Sequence, residues 1–364
     1  MEKRGAVRPT LAILAALAGT GYASGRELVL FFAQTGRAGW IGVCFAPVVF
    51  GVLAALLCRW AGEAGAEGFS GFCARLMGRR AGAVAAWLHG LLLGLTAVVM
   101  LCGAGELGDL TLPVNHGWLW GASIALLIAL LVNLSRLRPL PWLGLAVLAG
   151  GVTFYGALAL DPRPPRVWLE GAVELALEDR WPASILLALV YGAMNAALAA
   201  NTALRFGRGA DAKRVGLGCG LSLWAMLAVA NGAILRGGKP LLGQAMPTVL
   251  LAARWGVAGF WACAAFGYLC AVSTLAAVLG GLVDGLRVGR GRGALVTALA
   301  AAALAALIGL RRTIGAGYPA VGWLCALLML AMACRADALL ARGVKRLNFM
   351  GQSPDSRVRK VPKP

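Results

Sequence analysis

Charged side chains are scarce in this sequence. Asp, Glu, Lys and Arg make up only 13% of its 364 residues, whereas 60% of the residues are apolar. A soluble domain carries about 25% charged residues, because its surface must face water. The sequence therefore excludes a soluble globular protein.

The residues that most enzymes and metal sites require are also nearly missing. The chain has two histidines, no CxxC pair and no HExxH motif. Most of the nine cysteines lie inside apolar runs, where we expect small core residues and not metal ligands. We therefore predict that the protein is not an enzyme and has no catalytic residues.

Long apolar runs are present instead. Runs of about 20 residues recur along the chain, and each is long enough to cross roughly 30 Å of hydrocarbon as a helix. They lack the alternating pattern of a transmembrane β-barrel. The predicted fold class is an all-α integral membrane protein with about ten transmembrane helices, and the predicted spans are 9–33, 39–60, 81–105, 117–133, 140–160, 182–204, 214–235, 255–284, 293–310 and 319–335.

Three segments lie outside these spans. Residues 238–252 carry two prolines and are expected to form a short interfacial or re-entrant helix. The external loop 161–181 is expected to form a short surface helix. Residues 1–347 are predicted to be a single transmembrane domain, and residues 348–364 a disordered basic cytoplasmic tail near anionic lipid.

The basic residues indicate orientation. When the loops are assigned alternately to two sides, most of the 34 Lys and Arg residues fall on the side of the N-terminus. The positive-inside rule then predicts a multi-pass protein of the cytoplasmic (inner) membrane with both termini in the cytoplasm. The net charge of +19 thus follows from the lipid bilayer as partner, and we expect no nucleic-acid partner.

The first span contains the least lipid-compatible segment of the chain. Residues 19–27 read Gly-Thr-Gly-Tyr-Ala-Ser-Gly-Arg-Glu. Ten residues from Pro9 to Gly19, at about 1.5 Å each, place this segment near the bilayer midplane. A helix that breaks there exposes carbonyl and N–H groups, which cannot face lipid but can bind a cation and a carboxylate.

The sixth span has a matching feature. Gly192 lies ten residues from Pro182, at the predicted outer end of this span, and Tyr191 and Asn195 are near it in the sequence. Two midplane breaks five spans apart predict a 5+5 inverted repeat, with repeat one at about 9–160 and repeat two at about 182–335. The alternative is that such glycines only allow helices to pack closely.

These segments carry a family resemblance. Residues 21–27, followed by Phe31-Phe32, resemble the opening motif of the YkvI-type uncharacterised membrane proteins. That family is placed in the amino acid–polyamine–organocation (APC) superfamily, which has the LeuT-like fold. Tyr22 and Arg26 depart from the family pattern, which has Phe and Gln at these positions. The sixth span, the segment around Pro247 and the pair Ser273-Thr274 also resemble the pattern, so the likeness covers the ten-span region.

The resemblance implies that helices 1 and 6 are discontinuous and hold an amino acid or a related small amine between them. It implies a set of substrate-binding residues at the two breaks. These residues are Gly19, Thr20, Gly21, Tyr22, Ala23, Ser24, Gly25, Tyr191, Gly192 and Asn195.

In sodium-coupled members of this fold, a cation site joins carbonyls before the first break to a hydroxyl pair on helix eight. The resemblance thus implies a sodium site made by Ala15, Ala18, Ser273 and Thr274. No cofactor is expected other than this coupling ion. The alternative for the two hydroxyls is a hydrogen bond to their own helix. Some proton-coupled relatives use a lysine in span five. Span 140–160 contains no lysine, which favours sodium coupling or uncoupled exchange over that proton mechanism.

Three polar residues within spans have two interpretations each. Arg26 and Glu27 either neutralise each other, or Arg26 forms an extracellular gate while Glu27 braces helix six. His89 is either a satisfied core residue or a proton relay.

The expected function is a secondary active transporter, coupled to sodium, that moves an amino acid or related small solute by alternating access. One alternative is a non-transporting nutrient receptor of the same fold. A membrane enzyme ranks last, because the sequence lacks catalytic motifs. The oligomeric state is not predicted.

Overall fold

The first predicted span folds as three short helices. The computed structural model describes residues 5–64, 68–112, 114–162, 181–238, 241–244, 246–285 and 322–333, with a few positions between 293 and 304. Within the first span, α1 covers Val7–Ala15, α2 covers Thr20–Ser24 and α3 covers Arg26–Phe31. Residues 16–19 interrupt the helix between α1 and α2. A break in helix one is therefore confirmed, but it lies at residues 16–19, whereas most of the predicted segment 19–27 is helical, with a second joint at Gly25.

The other described helices follow in chain order, beginning after a 3₁₀ turn at Ala33–Ala38. They are α4 (Gly39–Ala64), α5 (Gly68–Met77), α6 (Arg79–Thr111), α7 (Gly117–Leu134), α8 (Leu140–Leu160), α9 (Trp181–Phe206), α10 (Ala212–Gly237), α11 (Pro247–Ala252), α12 (Val257–Gly285) and α13 (Gly322–Ala333).

Seven helices of the described part are long and apolar enough to cross a membrane. With the three-piece first helix, they match the predicted spans one to eight, and α13 lies within the predicted tenth span. The predicted span 293–310 falls mostly outside the described residues, as does the tail 348–364. The prediction of a multi-pass, all-helical membrane protein is confirmed.

The predicted break in the sixth span is wrong. Helix α9 runs without interruption from Trp181 to Phe206. A Cβ on Gly192 would lie 2.7 Å from the Ala46 carbonyl oxygen and 2.9 Å from Val49 Cβ, so this glycine lets α9 approach α4. A single glycine costs a helix only about 1 kcal/mol, and the alanines that follow it are strong helix formers. Gly192 therefore serves close packing, which was the alternative interpretation.

Close approach through small residues recurs between α4 and α10. A Cβ on Gly51 would lie 2.7 Å from the Gly216 carbonyl oxygen, and one on Gly216 would lie 2.6 Å from Ala55 Cβ. Small residues allow helix backbones to come together where lipid supplies no hydrophobic drive for association. Helices α4, α9 and α10 thus pack closely beside the broken first helix.

The segment predicted to be a short interfacial or re-entrant helix contains α11. It is followed by a 3₁₀ turn at Ala253–Trp255, where the buried Arg254 lies 4.0 Å from the carboxylate of Asp161 at the end of α8. Arg254 also donates a hydrogen bond of 2.8 Å to the Leu158 carbonyl. These contacts fix the segment against the C-terminal end of α8. The predicted loop helix within 161–181 lies almost wholly outside the described residues.

Candidate functional site

The break in helix one is a short non-helical segment with a defined backbone. After Ala15, the amides of Ala16 and Leu17 bond the carbonyls three residues earlier, at 3.1 Å each, so the α-helical pattern stops. Gly19 is extended, with φ −78° and ψ −174°, and its carbonyl begins the hydrogen bonding of α2. The carbonyls before the break are thereby released from regular helical bonding.

Two hydroxyls of α12 meet the last carbonyl of α1. Ser273 Oγ donates a hydrogen bond of 2.8 Å to the Ala15 oxygen, and Thr274 Oγ1 lies 3.4 Å from the same oxygen. Both side chains are fully buried. The structure therefore brings together three members of the predicted cation site. Ala18 is buried within the break, but no described hydrogen bond joins it to the hydroxyl pair.

The glycines at the break are positions of close approach. A Cβ on Gly19 would lie 2.7 Å from the terminal methyl carbon of Met100 on α6. A Cβ on Gly21 would overlap the carboxylate of Glu27. Glu27 is only 7% exposed, so its carboxyl group is held inside the protein and against the backbone of α2. It is also close enough to interact electrostatically with Tyr155 and Tyr191.

A tyrosine network surrounds α2. The hydroxyl of Tyr155, from α8, donates to the Tyr22 carbonyl at 2.5 Å and lies 2.9 Å from the hydroxyl of Thr248 in α11. Tyr22 in turn donates to the Met226 carbonyl of α10 at 3.0 Å. The rings of Tyr22 and Tyr155 meet edge to face, with centroids 5.3 Å apart. These bonds connect α2 directly to α8 and α10 and, through Tyr155, to α11.

Other substrate-binding predictions fall at α2 as well. The Ala23 carbonyl lies 3.3 Å from the Tyr155 hydroxyl. Ser24 Oγ donates to the Gly21 carbonyl at 3.2 Å, within its own helix. Gly25 joins α2 to α3 in the left-handed region, with φ +80°. Thr20 begins α2, but its side chain lies outside the described part of the structure.

The sixth-span predictions divide into two groups. Tyr191 lies at the site, because its ring packs on Phe31 and Phe32 with centroids 5.1 Å away in each case. Asn195 uses its side-chain N–H to bond the Tyr191 carbonyl of its own helix at 2.8 Å. Gly192 faces α4, as described above. The structure therefore brings Tyr191 to the first helix and places Gly192 in a helix-packing contact.

Arg26 and Glu27 point to different partners. Arg26 Nη1 donates to the carbonyls of Leu242 and Gln244, at 2.9 and 3.2 Å, in the segment before α11. Glu27 instead lies against Gly21. Arg26 thus connects the start of α3 to the segment before α11, and its gating role stays a prediction.

His89 has the contacts of a core residue. Its Nε2 lies 2.8 Å from the Ala197 carbonyl of α9, and its ring stacks on Phe69 of α5 with centroids 3.9 Å apart. These contacts join three helices and lie apart from the break.

Tyr155, Thr248 and Met100 also contact the broken first helix, although no sequence motif marks them. Each belongs to a helix far from the break in the chain, so no local pattern connects it to the motif. The small number of tyrosines in such an apolar sequence could have pointed to Tyr155 as a residue of the site. Of the five tyrosines in the sequence, Tyr22, Tyr155 and Tyr191 are buried around the break.

No protein-family model matches this chain, and no curated protein matches its sequence. Solved structures do match it. A variant of the manganese transporter of Eremococcus coleocola has a TM-score of 0.58 at 16% identity, over 90% of this chain and 76% of that one. Mhp1, a nucleobase-cation-symport-1 family transporter with bromovinylhydantoin bound, has a TM-score of 0.59 at 16% identity, over 91% and 75%.

MhsT in complex with L-phenylalanine is a third match. Its TM-score is 0.57 at 15% identity, over 91% of this chain and 87% of that one. All three have the LeuT-like fold. The chain is therefore a multi-pass membrane protein with the LeuT-like fold, as the family resemblance implied.

Proposed function

We propose that this protein is a sodium-coupled secondary active transporter that moves an amino acid or a related small amine by alternating access. One observation supports the proposal most strongly. At the break in helix one, the hydroxyls of Ser273 and Thr274 contact the Ala15 carbonyl in a buried position. This arrangement joins a helix that must move to a helix of the surrounding scaffold. We also propose that the chain belongs to the YkvI-type family of the APC superfamily.

The cation half of the proposal rests on the chemistry of these groups. Carbonyl and hydroxyl oxygens are hard ligands that suit a group-IA cation. The Ser273 and Thr274 oxygens are buried and converge on one carbonyl, so a small ion can be shared among them with little movement. Ala18 supplies a second carbonyl within the same break. A bound ion would thereby hold the end of α1 against α12.

The substrate half of the proposal rests on α2 and its neighbours. The amide of Gly21, in the first turn of α2, is suited to a substrate carboxylate, because the first backbone N–H groups of a helix lack helical partners. The buried carboxylate of Glu27 beside Gly21 is suited to a substrate ammonium group. The rings of Tyr22 and Tyr191 supply apolar walls. The bound L-phenylalanine and bromovinylhydantoin of two structural neighbours support a small organic substrate.

The remaining parts of the proposal concern the whole chain. Residues 1–347 form the transport domain in a cytoplasmic membrane, with both termini in the cytoplasm and 348–364 as a tail. Arg26, bonded to the carbonyls of Leu242 and Gln244, closes the outer side of the site. The reaction is transport, without chemical change of the solute.

Equilibrium binding tests the proposal on purified protein. We expect at least one labelled amino acid or amine to bind about tenfold more tightly in sodium than in potassium, since binding of the two is coupled. The double variant S273A/T274A should lose this sodium dependence. The control is T153A, because Thr153 is exposed and its hydroxyl bonds only to its own helix. Sodium dependence that survives S273A/T274A, or no binding at all, would contradict the proposal.

A further inference from the structure

A cavity lined by four arginines lies at the end of the molecule where α1 begins and α9 ends. Its volume is about 600 Å³, and Arg8, Arg136, Arg138 and Arg205 line it together with Phe206 and the chain around Val7. The four arginines come from α1, from the turn between α7 and α8, and from the end of α9. Three separate segments of the chain thus direct positive charge to one place.

Most of this charge has no acidic partner within the described part of the chain. Arg205 is engaged, because its Nη1 lies 3.5 Å from Asp284 Oδ2 and its Nη2 donates to the Arg136 carbonyl at 3.2 Å. The described ion pairs include none with Arg8, Arg136 or Arg138. Like charges around one cavity repel each other unless an anion lies between them.

The turn that carries two of the arginines is held in a fixed position. Arg136 and Leu137 both adopt the left-handed conformation, with φ of 57° and 60°. Leu137 is buried so tightly that a Cβ on Gly280 of α12 would lie 2.8 Å from its Cδ1. The Asn133 side chain also bonds the Ala276 carbonyl of α12 at 3.0 Å. Arg136 and Arg138, on either side of Leu137, therefore start from backbone positions fixed against α12.

The start of α1 adds to the positive potential. Its N-cap, Ala6, provides no side-chain cap for the first amides of the helix. Free amides at a helix N-terminus favour an anion, and here they add to the field of the four guanidinium groups.

We propose that this cavity binds a phosphate group, either the headgroup of an anionic phospholipid or free phosphate from solution. Guanidinium groups bind phosphate oxygens in pairs, with planar geometry that lysine cannot provide. A phosphate there connects Arg8 on α1 to Arg136 and Arg138 in the turn. The site does not depend on the proposed transport function, and its test measures binding only.

The experiment uses the full-length purified protein with two probes. The lipid probe is a nanodisc of phosphatidylcholine with or without phosphatidylglycerol, with retained lipid counted by native mass spectrometry. The free-anion probe is sodium phosphate against sodium chloride at equal ionic strength, with thermal stability as readout. The test variant is R136Q/R138Q, which leaves the Arg136 carbonyl in place. The control is R79Q/R80Q, which removes the same charge from the start of α6, away from the cavity.

We expect R136Q/R138Q to weaken binding of one probe or both by about tenfold or more, since the loss of a hydrogen bond to a charged group lowers affinity by about this factor. We expect R79Q/R80Q to bind like the wild type. An effect confined to phosphatidylglycerol identifies a lipid headgroup, and an effect of sodium phosphate identifies a free anion. Equal loss in both double variants, or no binding of either probe by the wild type, would overturn the proposal. If R136Q/R138Q does not fold, R8Q tests the same site from α1.

Discussion

Only a hydrogen atom fits on the Cα of Gly21 where it faces the Glu27 carboxylate. We therefore predict that G21A displaces this carboxylate and weakens substrate binding by about tenfold or more, the size expected when a charged hydrogen bond is lost. The measurement is the dissociation constant of the best amino acid or amine ligand.

The matched control for that substitution is G94A. Gly94 lies inside α6, and nothing lies within 4 Å of a Cβ placed on it. Alanine there should leave affinity unchanged and stabilise the helix by about 0.5–1 kcal/mol. Wild-type affinity in G21A would show that the Glu27 carboxylate does not take part in binding.

At the scale of elements, the joint between α2 and α3 depends on Gly25. This glycine has φ +80°, and a Cβ on it would lie 2.6 Å from the Thr248 hydroxyl oxygen. Gly209 has nearly the same backbone, φ +78°, but open space around the Cβ position. Both alanine variants carry the left-handed penalty of about 1–2 kcal/mol, and only G25A adds the steric conflict.

We therefore predict a clearly larger loss of thermal stability in G25A than in G209A. The comparison isolates the packing of the joint against α10 and α11, because the backbone term is common to both variants and a Cβ on Gly25 would also lie 3.0 Å from Ile234 Cδ1. Equal losses in the two variants would mean that α10 and α11 do not limit the space at Gly25.

The continuity of α9 leads to a second prediction for elements. Because Gly192 faces the Ala46 carbonyl of α4, G192A should overpack the α4–α9 contact and cost about 1–3 kcal/mol of stability. The KM for transport should stay near the wild-type value. Gly232 is the control, since a Cβ there lies at an ordinary 3.8 Å from Trp40 Cη2. A raised KM with unchanged thermal stability in G192A would restore a substrate-binding role.

The two span predictions differ in outcome for a physical reason. The first span has three glycines and several polar side chains within residues 19–27, and its helix is interrupted on either side of α2, at residues 16–19 and at Gly25. The sixth has one glycine followed by Ala-rich sequence. Symmetry between the halves suggested a second break, but local helix propensity and packing against α4 decide the structure of α9.

At the scale of the whole molecule, hydropathy was sufficient to predict the membrane-spanning fold, because each span must satisfy its own backbone in lipid. The contacts of Tyr155 and Thr248 with α2 were not predictable in the same way. They depend on how α8 and α11 pack against the first helix, and a single sequence does not contain that pairing. The cavity lined by arginines could not be predicted from the sequence either, because Arg8 and Arg205 are far apart in the chain.

The proposed function moves a solute and sodium across the membrane together, at a site formed by the broken first helix. The most direct measurement is uptake of labelled amino acids and amines into proteoliposomes, with and without an inward sodium gradient. We predict uptake that the gradient drives and that is lost in S273A/T274A but kept in T153A. Binding without uptake would instead support a nutrient receptor, and uptake that is indifferent to the sodium gradient would contradict the proposed coupling.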